Sequence, residues 1–351
     1  MQQKLPSSAS KFSQLWNETE LTLWLEFPYI LYFFRFHHHV YTQQHPPSTT
    51  LILSGIPGLE ASHIWISIPL SIMYVTAILG NSIIIHTVHK TPSLHEPQYV
   101  FLSLLAATDI GMSASTLPIV IKVFIFNHRE IEFHGCLAQM FFIHIFSSME
   151  SAMLLAMAFD CFMAIRNPLH YTIVLTPSRI TQMGLAAVAR GVALMMPLPI
   201  LLQQLPFCRN IVLSYSFCLH PDVMKLACGS IRVNVIYGLV LVLCSFGVDS
   251  IFIVLSYALI LNMVLGIASR EGCLKVLNTC VSHILTVFIF YVPLIALALI
   301  HRIGRYHSPL PHITLSNIFH FITPVLNPLV YSVKTKQIKR ALDRLFKYKT
   351  R

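Results

Sequence analysis

Seven apolar segments, each long enough to cross a bilayer, constrain this chain more than any other feature. They run approximately from Ile64 to His86, Tyr99 to Ile121, Cys136 to Ile165, Thr181 to Leu202, Ile236 to Ile267, Leu277 to His301 and Leu315 to Val333. Lipid offers no partner to a backbone N–H or C=O, so an uninterrupted helix, rising roughly 1.5 Å per residue, is the predicted form of each. Composition agrees: 55% of residues are hydrophobic and 11% charged, well under the roughly 25% charge of soluble domains. Short loops carry the turn formers Pro92, Pro97, Asn127, Gly135, Pro168, Pro177, Gly272, Gly304 and Pro309. The expectation is an all-α membrane protein with a seven-transmembrane helix bundle at 61–333. An N-terminal tail at 1–60 precedes it and a basic tail at 334–351 follows.

Lysine and arginine orient the bundle. One side collects Lys90, Arg166, Arg179, Arg270, Lys275 and eight residues after Val333, thirteen in all; the other holds Lys122, Arg129, Arg209, Lys225, Arg232, Arg302 and Arg305, seven. Positive charge favours the cytoplasm, which places the C-terminus inside and the N-terminus outside. The net charge of +10 therefore implies no nucleic acid. A basic tail beside the last span attracts anionic membrane lipid, and Ile338, Leu342, Leu345 and Phe346 recur at helical spacing, which predicts a short amphipathic helix. In the N-terminal tail, Leu21 to Phe34 is too short to span, carries Glu26 and Pro28, and lacks a small-residue cleavage site, so it is read as no cleaved signal. His37, His38 and His39 are read as tail residues without a metal role, and Asn17-Glu18-Thr19 is a glycosylation sequon suited to an outside location.

Cys136, Cys208, Cys218 and Cys228 fall on the oxidising side, and Cys161, Cys244, Cys273 and Cys280 in spans or near the cytoplasm. Four outer cysteines permit three pairings, and spacing does not choose among them. Ionisable groups inside spans are costly. Asp109 and Glu150 are expected to share a cation or a proton, because two adjacent buried carboxylates cannot both stay charged unaided. Asp249 is expected to be a protonated acid hydrogen-bonded to a neighbouring helix. Arg190 either snorkels or pairs across helices.

The stretch Met157-Ala-Phe-Asp-Cys-Phe-Met-Ala-Ile-Arg-Asn-Pro-Leu-His-Tyr171 resembles the cytoplasmic end of the third helix in odorant receptors, with Cys161 standing where that family has arginine. Gly80-Asn81, Leu94 to Tyr99, Asp109, Ser256-Tyr257, Lys275 to His283 and Pro324 to Tyr331 extend the resemblance over nearly the whole chain from Ile56. Lys275-Val-Leu-Asn-Thr-Cys-Val-Ser-His283 is specific to odorant receptors; Asn327-Pro328-Leu329-Val330-Tyr331 is shared by rhodopsin-like receptors. Ser216 to Cys228 and the His301-Arg302 ending look like the class I, or fish-like, branch of the 51/52 type.

The resemblance implies bridges Cys136–Cys218 and Cys208–Cys228, and a sodium site at Asp109 beside Asn81 and Asn327; no other cofactor is expected. It implies a plasma-membrane receptor that binds a small odorant and couples to an olfactory stimulatory heterotrimeric G protein between the inner ends of segments three, five and six. Pro293 and Pro328 are the bendable points, since proline removes a backbone donor. His144, roughly 12 Å below Cys136 along its helix, with His220 and Arg302 can converge near the outer mouth. Arginine's fork matches a carboxylate, so a small carboxylic acid with an apolar tail fits. The apolar Ala298, one turn before Arg302, weakens a precise anchor. In the family the missing arginine pairs with the acid at Asp160 and then reaches the G protein; a thiol does neither. Arg166, five residues on, lies about 140° around the helix and does not replace it. Weak coupling follows as the alternative reading. A transporter is the remote alternative, for which no internal repeat is present. An enzyme is not expected: Ser282 beside His283 has no orienting acid.

Overall fold

A computed structural model describes the chain from Thr50 to Asp343, apart from residues 57, 60–61, 169, 208–210, 267–269, 304–309, 335–336 and 342. Side chains are described for the same residues except 172, 270–279, 298–303, 310–312, 314 and 333–334. Asn17 and the triplet at His37 lie outside the described residues.

Seven long helices appear among the described residues: α1 His63–Lys90, α2 Pro97–Phe124, α3 Phe133–Arg166, α4 Pro177–Gln203, α5 Arg232–Leu265, α6 Arg270–Ile303 and α7 Leu310–Lys334. Six are long and apolar enough by length and composition to cross a membrane, and α7 completes the seven-transmembrane fold. Six of them run beyond both ends of the apolar stretch that predicts them, because helix continues where side chains become polar; α5 begins earlier than Ile236, at Arg232, and ends at Leu265. Local chemistry sets several ends. Pro97 opens α2 where its missing N–H costs nothing. Pro177 opens α4 behind Thr176, whose side chain accepts from the Arg179 N–H. Pro197 interrupts α4, which resumes as Pro197–Gln203.

α3 is the central element. In its most apolar window 61% of residues are buried, against 22% in α1 and in α5, and it packs on α2, α4, α5 and α6. Gly111 lets α2 approach it: a Cβ there would collide with the Phe146 ring. Large apolar side chains such as Trp65, Ile72, Val254 and Phe288 point outward, as lipid-facing residues do. After α7, residues 337–341 are helical, with Ile338 and Ala341 buried and Gln337, Lys339 and Arg340 exposed. Leu342, Leu345 and Phe346 lie outside the described residues.

The predicted bundle is not purely helical. Thr50–Leu53 forms strand β1, paired antiparallel with β2, Glu130–Glu132, and parallel with β3, Val212–Leu213. The order β2-β1-β3 makes the segment before α1 the middle strand.

Candidate functional site

At the end of the bundle that carries the sheet, Cys136 at the start of α3 is bonded to Cys218, with their Cα atoms 5.5 Å apart. Cys228 is also disulfide-bonded; Cys208 lies outside the described residues. The Cys218 N–H donates to Gln139 Oε1 of α3 (3.0 Å), so bridge and hydrogen bond together hold the loop against the helix. His220 follows at the start of the short helix His220–Met224, buried, with its Nε2–H donating to Asn234 Oδ1 of α5 (3.3 Å). His144 lies within electrostatic reach of both His220 and His320 of α7. The three imidazoles come from α3, the loop and α7. Sequence reasoning missed His320, whose position within an apolar helix was its available signal.

Tautomers follow from the partners. His144 Nδ1 lies 2.7 Å from the Met140 carbonyl and His320 Nδ1 2.8 Å from the Ser316 carbonyl; a carbonyl only accepts, so both Nδ1 atoms carry the proton and each neutral ring keeps an Nε2 lone pair. Phe217 packs its ring 4.8 Å from His320. Burial, then the neighbouring His144, pushes His220 down to about 4, so it is neutral at physiological pH. Arg302 belongs to α6, but its side chain, like that of Ala298, is outside the described set.

Deeper in the bundle, Asn327 of α7 gathers two acids. Its Nδ2 donates to Asp109 of α2 at 3.1 and 3.2 Å and to Glu150 of α3 at 3.3 Å. Asn327 Oδ1 is buried with no hydrogen-bond partner. Asn81 does not join this cluster directly; its Nδ2 donates to the Ala77 and Pro324 carbonyls, both 2.9 Å, and so ties α1 to α7.

Asp249 corrects the expectation of a protonated acid. Both of its oxygens accept from Arg190 at 2.7 Å, the one salt bridge among the described residues. Ser151 Oγ lies 2.7 Å from Asp249 Oδ2, 2.8 Å from the Tyr291 hydroxyl and 3.2 Å from the Ser245 carbonyl. A π turn at Leu243–Gly247 carries that carbonyl, as such turns often do at functional sites. Arg190 thus pairs across helices, and α3, α4, α5 and α6 meet in one network two residues from Pro293, which lies inside α6. The signal was present in sequence as opposite charges in two spans; their facing was not.

At the other end of α3, the Tyr171 hydroxyl donates to Asp160 Oδ1 (2.7 Å). Cys161 lies beside Cys280 and Tyr257, and the Tyr257 hydroxyl bonds His283 Nδ1. Arg166 stacks on Phe162, 5.6 Å from the ring. Pro328 is buried in α7 against Gly80, and Tyr331, one turn on, points its hydroxyl at Met157 Sδ (4.0 Å).

A seven-helix membrane bundle with the loop after α4 bridged to the third helix defines a seven-transmembrane receptor of the G-protein-coupled class. A sequence profile described as "Olfactory receptor" matches residues 70–349, and the chain belongs to the olfactory receptor family. It is 54% identical over 295 residues to human olfactory receptor 51I2, covering 84% of this chain and 95% of that one. Human olfactory receptor 51E1 is 53% identical over 300 residues, 85% and 94% of the two chains. The family is one of multi-pass membrane receptors for odorants, not of enzymes.

Proposed function

We propose that this receptor recognises small carboxylic acids and signals through an olfactory stimulatory G protein to adenylyl cyclase, with output reduced by Cys161. The observation that carries the ligand reading is that His220, two residues after the bridged Cys218, lies within electrostatic reach of His144 of α3. A neutral imidazole with its Nδ1–H tied to the backbone accepts an O–H, which an alcohol or a protonated acid supplies and a carboxylate does not. Preference for an acid therefore rests on Arg302, whose guanidinium alone discriminates a carboxylate. Acetate, butyrate, hexanoate and octanoate should raise cAMP at lower concentrations than the matched alcohols, and Arg302→Ala should remove the difference. An acid response unchanged by both Arg302→Ala and His144→Ala would sink the reading.

In the proposed orientation the β1 end faces outside and the 334–351 tail the cytoplasm, at the plasma membrane. The acids at Asp109 and Glu150 with the orphaned Asn327 Oδ1 fit a sodium ion, which would supply the positive charge two buried carboxylates need. The Arg190–Asp249–Ser151–Tyr291 network lies between the histidines and the G-protein end. A change in the packing of α3 at His144 is felt at Ser151, two turns on, and from there at Tyr291 beside the Pro293 bend.

A further inference from the structure

The segment before the first span does more than lead into it. β1 contributes N–H groups alternately to its two neighbours: Leu53 donates to the Arg129 carbonyl (2.8 Å), while Ile52 and Ser54 donate to Ile211 and Leu213 (2.8 and 3.0 Å). Because β1 lies between β2 and β3, those two outer-loop strands are joined through it among the described residues. Leu51, Leu53, Ile131 and Leu213 are buried beneath the sheet. Two hydroxyls add cross-links, Ser54 Oγ to the Leu213 carbonyl (2.6 Å) and Ser216 Oγ to the Gly55 carbonyl (3.1 Å). Gly55 turns the chain with φ +72°, and a Cβ there would lie 2.7 Å from the His63 ring, so the turn is fixed in both conformation and space.

Continuous with β3 runs the loop that reaches the histidines. Ser214 and Tyr215 donate N–H groups to Asp222 Oδ2 (2.7 and 3.3 Å), Phe217 packs on His320, Cys218 is bridged to α3, and His220 follows. The loop is thus pinned at one end by the disulfide and at the other by β1. A disulfide fixes one point and leaves the chain on either side free to rotate; a paired strand fixes direction and register as well.

We propose that Thr50–Gly55 is a positioning element of the ligand site: it sets the register of Leu213–His220 and hence the placement of Phe217 and His220 over the bundle. The proposal rests on the reading of the histidine cluster as the ligand site. It predicts that ligand response depends on residues in the N-terminal segment that never touch ligand.

The test uses the full-length receptor in lipid nanodiscs. Ile52→Pro deletes the N–H that pairs β1 with the 211–213 run, where proline is tolerated least. Amide exchange at Ser214, Tyr215 and Cys218, whose own bonds go to Asp222 and Gln139 rather than to β1, should rise about tenfold while the inner ends of the helices are unchanged. The milder Ser54→Ala with Ser216→Ala should raise exchange about threefold, and decides the matter if Ile52→Pro does not reach the surface. Parent-like exchange in the variants that fold, with the Cys136–Cys218 bridge intact, overturns the proposal. In cells, the hexanoate concentration for half-maximal cAMP should rise about tenfold with an unchanged maximum, the expectation for lost binding without lost coupling. If His144→Ala removes the hexanoate response and the β1 variants leave its midpoint in place, positioning fails. If hexanoate does not activate the parent carrying Cys161→Arg, the ligand reading fails, and exchange alone still judges β1.

Discussion

Asp160 accepts its hydrogen bond from Tyr171, which sits in the single helical turn Tyr171–Val174 beyond the end of α3. Sequence comparison with the family marks Cys161 as the departure but says nothing of what the neighbouring acid does instead; the answer depends on a loop folding back, which no spacing rule conveys. The Tyr171 hydroxyl is correspondingly held well above its ordinary range, by burial first and by the Asp160 charge second. Tyr171→Phe leaves a buried carboxylate short of a donor, a loss of about 1–3 kcal/mol, and should lower the melting temperature of the purified receptor; an unchanged melt would show that Asp160 has other support. Arg190 and Asp249 make the same point more strongly. Both were visible as charges in apolar spans, yet their pairing depends on the rotation of α4 and of α5, and the π turn at 243–247 resets that of α5 ahead of Asp249. Arg190→Ala strands a buried carboxylate and should cost about 3–5 kcal/mol, while Arg190→Leu with Asp249→Leu should recover much of it. A double variant no more stable than the single would contradict this account of the pair.

Element by element, long apolar periodicity was legible and short strands were not. Thr50–Leu53, Glu130–Glu132 and Val212–Leu213 are two to four residues each, too short to carry an alternation, and their pairing joins positions some 80 and 160 residues apart in sequence. The Cys136–Cys218 bridge was legible through resemblance rather than through spacing. The loop it anchors should be acid-sensitive. His220 is held near 4 against an ordinary value of 6.5, because burial and then His144 oppose its charge. Above 6.5 the group is neutral folded or unfolded; as pH falls below 6.5 the unfolded loop takes a proton that the folded one refuses, so stability declines until about 4. Asp222, pushed up by burial despite its backbone donors, works in the opposite sense at the acid end. His220→Gln should therefore flatten the decline in thermal stability across the upper part of that window, whereas an identical slope in the variant would assign the acid sensitivity to other groups.

At the scale of the whole molecule, the proposed function is divided along α3. Its sheet-side third carries Cys136, Gln139 and His144; its middle carries Glu150, which bonds to α7, and Ser151, which bonds to α5 and α6; its opposite end carries Asp160 and Cys161. Length, hydropathy and motif order made the seven-helix class and the family readable from sequence, because lipid leaves few alternatives to a helix. Cross-helix partners were unreadable, since each depends on rotation about an axis that hydrophobic residues on every face do not specify. A tag after Arg351 should be reached by antibody only in permeabilised cells, and staining of intact cells would reverse the proposed orientation. The central claim is that a small acid bound among the outer histidines drives a stimulatory G protein through an inner end weakened at Cys161. Its most direct measurement is octanoate-stimulated cAMP in cells bearing equal surface amounts of the native chain, Cys161→Arg, and Cys161→Arg with His144→Ala. The account predicts a weak native response, a clear gain with arginine restored, and loss of that gain when His144 is removed. No response from any of the three, or a full native response that neither substitution alters, would contradict it.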